Sequence, residues 1–538
     1  MRFLLSPIPA RRPGAPSLAF LVLALAVAPA LAQEPRTPLE RSDFQEPTSH
    51  AEMVEYLREV KAEGDDMGLE IYGRSHQGRE LYKAIFSRTP VQSPAEARST
   101  GKPIVLLAAN IHGFNRTLRE ALLIMLRDLG TRGSELNELL DEVIVLVVPS
   151  KNPDGLEADT RYNIVGADPN RDYMALEEPE TAAYVGQVVN RWRPHLLVDG
   201  HDGGAVQYGG AYPYALLYQG PALAGADPSL TELADREIFP RIDEAYEAEG
   251  LEAFYWAQGD EERWYGGGAA PRMGRNYGGL ANTLSILFEH AEWQEKEEAV
   301  EAGILAYTTV LRYARDHGDT LVETVETARR RTVELGEEPR GEIPVEETAE
   351  PEDFRVTYRV PHPERDEELL EVEDAEIVKR PVATRTRARP YAYVLPPTAT
   401  EAVALLQRHG IAVERVIERT TAEVTAYALE DVAHEESDNR NRSAVSVTVA
   451  SEEVLERDLP WGAYVVRTGQ ELGRVAAHLL EPETGDGLVH WNALTPLIPK
   501  AEVEAHRSAP AEVDPPLHPV YKIMEPGPLP TKRVRPSK

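Results

Sequence analysis

Between about residues 45 and 330, short and wholly apolar runs alternate with longer stretches whose apolar positions recur every three or four residues. Four of the short runs stand out: KPIVLLAAN (102–110), DEVIVLVVPS (141–150), PHLLVDGH (194–201) and NTLSILFEH (282–290). A strand apolar on both faces is covered on both faces, as in the parallel part of an α/β sheet. Between them, RTLREALLIMLRDLG (116–130) has helical spacing and stops at Gly130, and EPETAAYVGQVVNRW (178–192) reads as a second helix. The alternation predicts an α/β domain over 45–330.

The pattern then changes. From Arg331 to Arg380, 17 of 50 residues are Asp or Glu, with scattered prolines. That composition predicts a solvated acidic linker over 331–388, with a strand such as FRVTYRV inside it. A smaller α/β unit is expected over 389–505, from the strands YAYVLP and IAVERVI and the helices TATEAVALLQRHG and GQELGRVAAHLLEP. Residues 506–538 are rich in proline and read as a loose tail.

At 538 residues the chain exceeds what one hydrophobic core usually supports, which agrees with this division. Lys and Arg total 57 against 90 Asp and Glu, a net charge of −33. Phosphate binding needs a basic face, so a nucleic-acid partner is excluded. Residues 1–32 have the form of an export signal. Arg2, Arg11 and Arg12 precede the short apolar stretch Leu18–Val27, and APALAQEP offers a cleavage site after Ala32. That stretch is too short to span a bilayer, and no longer one follows. The expected mature protein is periplasmic or extracellular, and loss of three arginines and no acids takes its charge to −36. The chain has no cysteine, so neither disulfides nor thiolate ligands are available.

Each of the four buried strands runs into reactive side chains at its carboxyl end, where open α/β sheets hold their ligands. The first leads to His112 and Asn115, the second to PSKNPDG, the third to Asp199, His201 and Asp202, and the fourth to Glu289 and His290. Two imidazoles suit Zn²⁺, and a nearby glutamate can take a proton from a metal-polarised water. In DTRYNIVGADPNRDY, Arg161, Asn170 and Arg171 supply the donors of a carboxylate pocket. His409, His478 and His490, farther along, read as structural or surface groups.

Six stretches in order are similar to the zinc carboxypeptidases of the M14 type, in particular their exported bacterial branch. They are YGRSHQGREL, ANIHG, VPSKNPDG, RYN…ADPNRDY, LVDGHDGG and LSILFEHA, spread over roughly residues 45–320. The resemblance implies a mixed sheet flanked by helices, a single Zn²⁺ ion and hydrolysis of C-terminal peptide bonds by zinc-activated water. It implies His112 and His201 as zinc ligands and Glu289 as general base. Arg161 would polarise the scissile carbonyl, and Asn170 and Arg171 would hold the terminal carboxylate. Asp168 would sit behind His112, and Tyr277, in competition with Tyr265, would close over the substrate. The partners implied are the C-termini of peptides or proteins.

One position departs from the family pattern. The family has Glu three residues after the first histidine, and this chain has Asn115. An amide keeps a carbonyl oxygen but loses the negative charge that the third ligand usually brings. Glu120 lies two helical turns further on, too far along the axis to replace it. Three readings follow: a metallocarboxypeptidase with Asn115 as third ligand, a metal-poor relative that only binds peptide C-termini, or a hydrolase of cell-wall peptides.

Overall fold

The computed structural model describes residues 35–64, 66–203, 212–291, 296–365, 368–436 and 443–535. The expected export signal lies outside the described residues. Residues 36–538 form one compact unit.

At its centre is a mixed sheet of eight strands. They are β1 (Met67–Arg74), β2 (Glu80–Phe86), β3 (Ile104–Ala109), β4 (Ile144–Val148), β5 (Leu196–Asp202), β6 (Leu216–Gln219), β7 (Ala253–Tyr255) and β10 (Leu284–His290). Their order across the sheet is β1-β2-β4-β3-β5-β10-β6-β7. The four apolar runs of the sequence are β3, β4, β5 and β10, which lie side by side and parallel. Every residue in these four strands is buried, as their two-faced apolar pattern requires. Antiparallel β1, β2 and β6 make the sheet mixed. Helices Thr117–Gly130 and Lys296–Asp316 pack on one face through Leu118, Leu122, Val310 and Leu311. Helix Pro179–Tyr184, with its continuation through Val189, covers the other.

The expected linker over 331–388 is not a linker. Its first residues finish the helix Gly318–Glu337, and the rest forms the hairpin of β11 (Glu342–Pro361) and β12 (Leu369–Ala388). β12 pairs with β9 (Arg263–Gly266), which pairs with β8 (Ala257–Gly259), giving a four-stranded sheet. Tyr358, Val360, Ala375 and Ile377 of the hairpin are buried around Trp264. Most of its acids stand at the intervening, more exposed positions, so the high acid count marks a ribbon rather than a linker.

The expected loose tail is also built into the fold. β18 (Tyr521–Ile523) and β19 (Thr531–Arg533) join β13 (Ala392–Leu395), β14 (Glu414–Val416), β15 (Thr420–Glu436), β16 (Ser443–Leu459) and β17 (Tyr464–Arg467) in a seven-stranded sheet. Lys522 is buried there, 3.2 Å from Glu481, whose carboxylate also accepts hydrogen bonds from Tyr393 and Tyr427. One apolar cluster runs from Leu106 and Leu146 to Tyr393, Leu406 and Val466, so the C-terminal sheet and the central sheet share a core.

Candidate active site

The loop after β3 carries the first candidate ligand, and a single amide shapes it. Asn110, at a left-handed φ of 58°, donates from Nδ2 to the carbonyls of His112, Gly113 and Asn115 at 3.1, 3.1 and 2.8 Å. Its Oδ1 accepts from Ser150 Oγ of the PSKNPDG loop at 2.6 Å. That loop presses so closely that a Cβ at Gly113 would stand 2.0 Å from the Gly155 carbonyl carbon. Gly113 is therefore needed where the two backbones cross, and Gly155 where a Cβ would meet Asn152 Nδ2 and the Tyr162 carbonyl at 2.4 Å. Sequence reasoning passed over Asn110 and Ser150, although both stand beside motif residues.

β5 and β10 deliver the next pair. His201 stands directly beside Glu289 in the strand register, with Nδ1 4.0 Å from Oε1. The His112 and His201 rings are 5.2 Å apart, centre to centre. Burial first, then the neighbouring His201 and Arg161, hold the His112 imidazole well below its ordinary range. Burial also lowers His201, against the pull of Asp199 3.6 Å from its Nε2. Both rings are thus neutral, the form in which imidazole binds a metal. Buried Lys151 pairs with Asp199, and together with His201 it outweighs burial to hold that carboxylate at about 2.

Asp168 stands between His112 and Arg161. Its Oδ1 is 3.6 Å from His112 Nδ1, and its Oδ2 takes both Nε and Nη2 of Arg161 at 3.0 and 2.9 Å. Arg161, Asn170 and Arg171 line the same cleft as His112, His201 and Glu289. Arg171 donates to the Asn170 carbonyl, and Asn170 Oδ1 accepts from Gly274 N–H at 3.0 Å, which leaves the amide NH₂ as its donor end.

Asn115 is 2% exposed, and neither its Oδ1 nor its Nδ2 has a hydrogen-bond partner. A buried amide without partners costs roughly 1–3 kcal/mol per group. A cation accepting the carbonyl oxygen removes half of that deficit. Glu120 is engaged elsewhere, accepting from Thr48 and pairing with Arg119. Asp202 caps helix Thr117–Gly130 instead, accepting from Thr117 N–H at 2.7 Å and Leu118 N–H at 3.3 Å. Among the described residues, no carboxylate joins both His112 and His201 in a three-ligand group whose donor atoms all lie within 4.8 Å of one another. His112 and His201 line the cleft and Asn115 follows His112 on the same loop, so the set that would hold Zn²⁺ is His112, His201 and the Asn115 carbonyl, one negative charge short of the usual set. Burial and then Asp202 push Glu289 well above the ordinary carboxylate range, and a cation in the site reverses that push.

Tyr277 is corrected by the structure. It is fully buried, outside the cleft. His409 Nε2 donates to the Met174 carbonyl at 3.0 Å, so its Nδ1 accepts from the Tyr277 hydroxyl at 2.9 Å, and Asn190 Nδ2 donates to that hydroxyl at 2.6 Å. Tyr277 ties the central sheet to the C-terminal part. Tyr277→Phe is expected to cost about 1–2 kcal/mol of stability in chemical denaturation and to leave turnover per folded molecule unchanged. Tyr265, the competing candidate, lies on β9 and does not line the cleft either.

The residue of GRNYGG that reaches the cleft is Arg275, which the sequence reading missed. Its guanidinium lies 4.8 Å over the Trp256 ring and donates to the Gly268 carbonyl at 2.8 Å. Trp256, Met273 and Leu287 line the same side of the site.

Much of the chain is similar to known proteins. Residues 53–270 match the zinc carboxypeptidase family of M14 peptidases, a span that holds His112, Asn115, Arg161, Arg171 and His201 but ends before Glu289. Carboxypeptidase 2 of Trichophyton tonsurans is 26% identical over 446 residues, covering 78% of this chain and 79% of that protein. Carboxypeptidase 2 of Trichophyton rubrum is 26% identical over 474 residues, covering 83% and 84%. A metallo-carboxypeptidase structure from Burkholderia cenocepacia aligns with 51% of this chain and 70% of its own at 21% identity and a TM-score of 0.40. Over residues 53–270 the chain is similar to the zinc carboxypeptidase family of M14 peptidases.

Proposed function

We propose that this protein is an exported metallocarboxypeptidase that removes single residues from the C-termini of peptides. The observation that carries the reading is one cleft lined by two neutral imidazoles, a buried glutamate and two arginines with an asparagine beside them. Arg171 and the Asn170 amide bind the terminal carboxylate, with the guanidinium fork matching its two oxygens. That contact places the last peptide bond, and no internal one, at Arg161 and Glu289. Arg161, steered by Asp168, donates to the carbonyl oxygen as charge develops there. Glu289 takes the proton of the attacking water and passes it to the leaving amine. His112, Asn115 and His201 would hold Zn²⁺, which when bound polarises the carbonyl and acidifies water. Export rests on the form of residues 1–32. No helix of the described residues is long and apolar enough to cross a membrane.

Arg275 extends the reading to side-chain preference. With the terminal carboxylate on Arg171 and the carbonyl at Arg161, the last side chain faces Trp256, Met273, Leu287 and Arg275. A buried guanidinium pinned on an indole face favours an acidic side chain and repels a basic one. Peptides ending in Glu are expected to be cleaved with kcat/KM about 10-fold or more above those ending in Lys, the worth of one charged hydrogen bond. Arg275→Glu is expected to invert the order. Equal rates in wild type and variant would remove Arg275 from the specificity pocket.

The metal-poor reading has one observation in its favour, the missing carboxylate at Asn115. Zinc content of the wild type and of Asn115→Glu separates the two readings.

A further inference from the structure

The turn between β1 and β2 stands outside the cleft and is held more firmly than a hairpin tip needs. Asp154 of the NPDG loop accepts from Ser75 Oγ at 2.8 Å, Gln77 N–H at 2.9 Å and Arg79 at 2.6 Å. These bonds fix His76 against the start of helix Pro179–Tyr184. His76 N–H donates to Glu180 Oε1 at 2.9 Å, and its Nε2 lies 2.8 Å from Glu178 Oε2. One ligand atom from each of His76, Glu178 and Glu180 lies within 4.8 Å of the other two. No other His, Asp and Glu group of the described residues is this tight.

A second observation points to a ligand. Glu180 is 1% exposed, and its Oε2 has no hydrogen-bond partner. No ion pair of the described residues includes it. A buried carboxylate with one oxygen unpartnered, grouped with an imidazole and a second carboxylate, calls for a cation. One nitrogen and two anionic oxygens make a donor set for a divalent metal of the zinc kind, with the His76 side open for water.

We infer that His76, Glu178 and Glu180 form a second divalent-metal site, separate from His112 and His201, that fastens the β1–β2 turn to the loop bearing the substrate-binding residues. The connection to that loop is direct. Glu178 Oε2 accepts from Asn163 Nδ2 at 2.6 Å, two residues past Arg161. Asp172, next to Arg171, accepts the backbone N–H groups of Glu177 and Glu178 at 3.0 and 2.8 Å. Metal at Glu178 therefore stiffens both ends of the segment that carries Arg161 and Arg171. The role is structural, and the inference does not depend on whether the catalytic site holds zinc.

The test uses the full mature chain loaded with Zn²⁺ alone and desalted. His112→Ala/His201→Ala, which lacks the first pair of imidazoles, is expected to keep about one equivalent of zinc by mass spectrometry and to melt higher with zinc than without. Adding Glu180→Gln, which keeps an oxygen for the His76 N–H, is expected to weaken that zinc at least about 10-fold and to abolish the shift in melting. His76→Ala, a change at a half-exposed turn, guards against misfolding and is expected to act the same way on the wild type, lowering its zinc by one equivalent. Zinc absent from the double variant, or unchanged by Glu180→Gln and His76→Ala, overturns the inference. Zinc present only in proteins with His112 and His201 intact does so while leaving the catalytic reading standing.

Discussion

Asn115→Glu is expected to tighten zinc at the catalytic site by about 100-fold or more and to raise peptide turnover with it. Loss of a hydrogen-bonding partner behind a ligand already changes metal affinity by roughly 10–100-fold, and an anionic ligand contributes more than such a partner. Asn115 and Glu differ by one methylene and one charge, the Asn115 amide has no hydrogen-bond partner to lose, and its loop also carries His112. A carboxylate in that place would also answer to the dipole of helix Thr117–Gly130, which Asp202 already caps. The check is zinc titration of the wild type and variant, with hydrolysis of a peptide ending in Glu measured on the same samples. A variant that binds no more zinc than the wild type would place residue 115 outside the metal's reach.

Glu289→Gln is expected to lower kcat by about 10³-fold with zinc content unchanged, since a positioned general base contributes 10²–10⁴-fold. The amide keeps the size of the side chain next to His201 but cannot accept the proton. The same residue sets the acid side of the pH profile. Burial and then Asp202 raise its pKa in the metal-free site and a bound cation lowers it again, so the acid limb of activity moves to lower pH the more firmly the cation is held. In Asn115→Glu, the more tightly held cation moves that limb to lower pH. Steady-state rates against pH for the three proteins check both statements. A Glu289→Gln protein with near wild-type kcat would move the base to another group.

The strands that build the site were legible because each is buried on both faces, and short unbroken apolar runs between helical stretches are the mark of covered parallel strands. The strand-end histidines and Glu289 followed from that, since the register of β5 against β10 is set by the same apolar residues. The hairpin of β11 and β12 was hidden because its acids raised the composition signal while the period-two signal lay underneath, in Tyr358, Val360, Ala375 and Ile377. β18 and β19 were hidden because three-residue strands gain their pairing from partners more than a hundred residues away. Within GRNYGG, the sequence could not tell Arg275 from Tyr277. Two helical positions differ by about 200° around the axis, and helix Gly274–Leu280 turns the arginine to the cleft and the tyrosine to His409. The cluster of His76, Glu178 and Glu180 joins residues about a hundred positions apart and has no local signature at all.

The most direct test of the central claim is mass spectrometry of a peptide ending in Glu, incubated with the zinc-loaded mature protein, beside the same peptide with an amidated C-terminus. The structure predicts loss of the single terminal residue from the free acid, little from the amide, and abolition of both by Glu289→Gln. Cleavage of the amidated peptide at internal bonds, or none of the free acid by either the wild type or Asn115→Glu, would contradict a carboxypeptidase built on His112, His201 and Glu289.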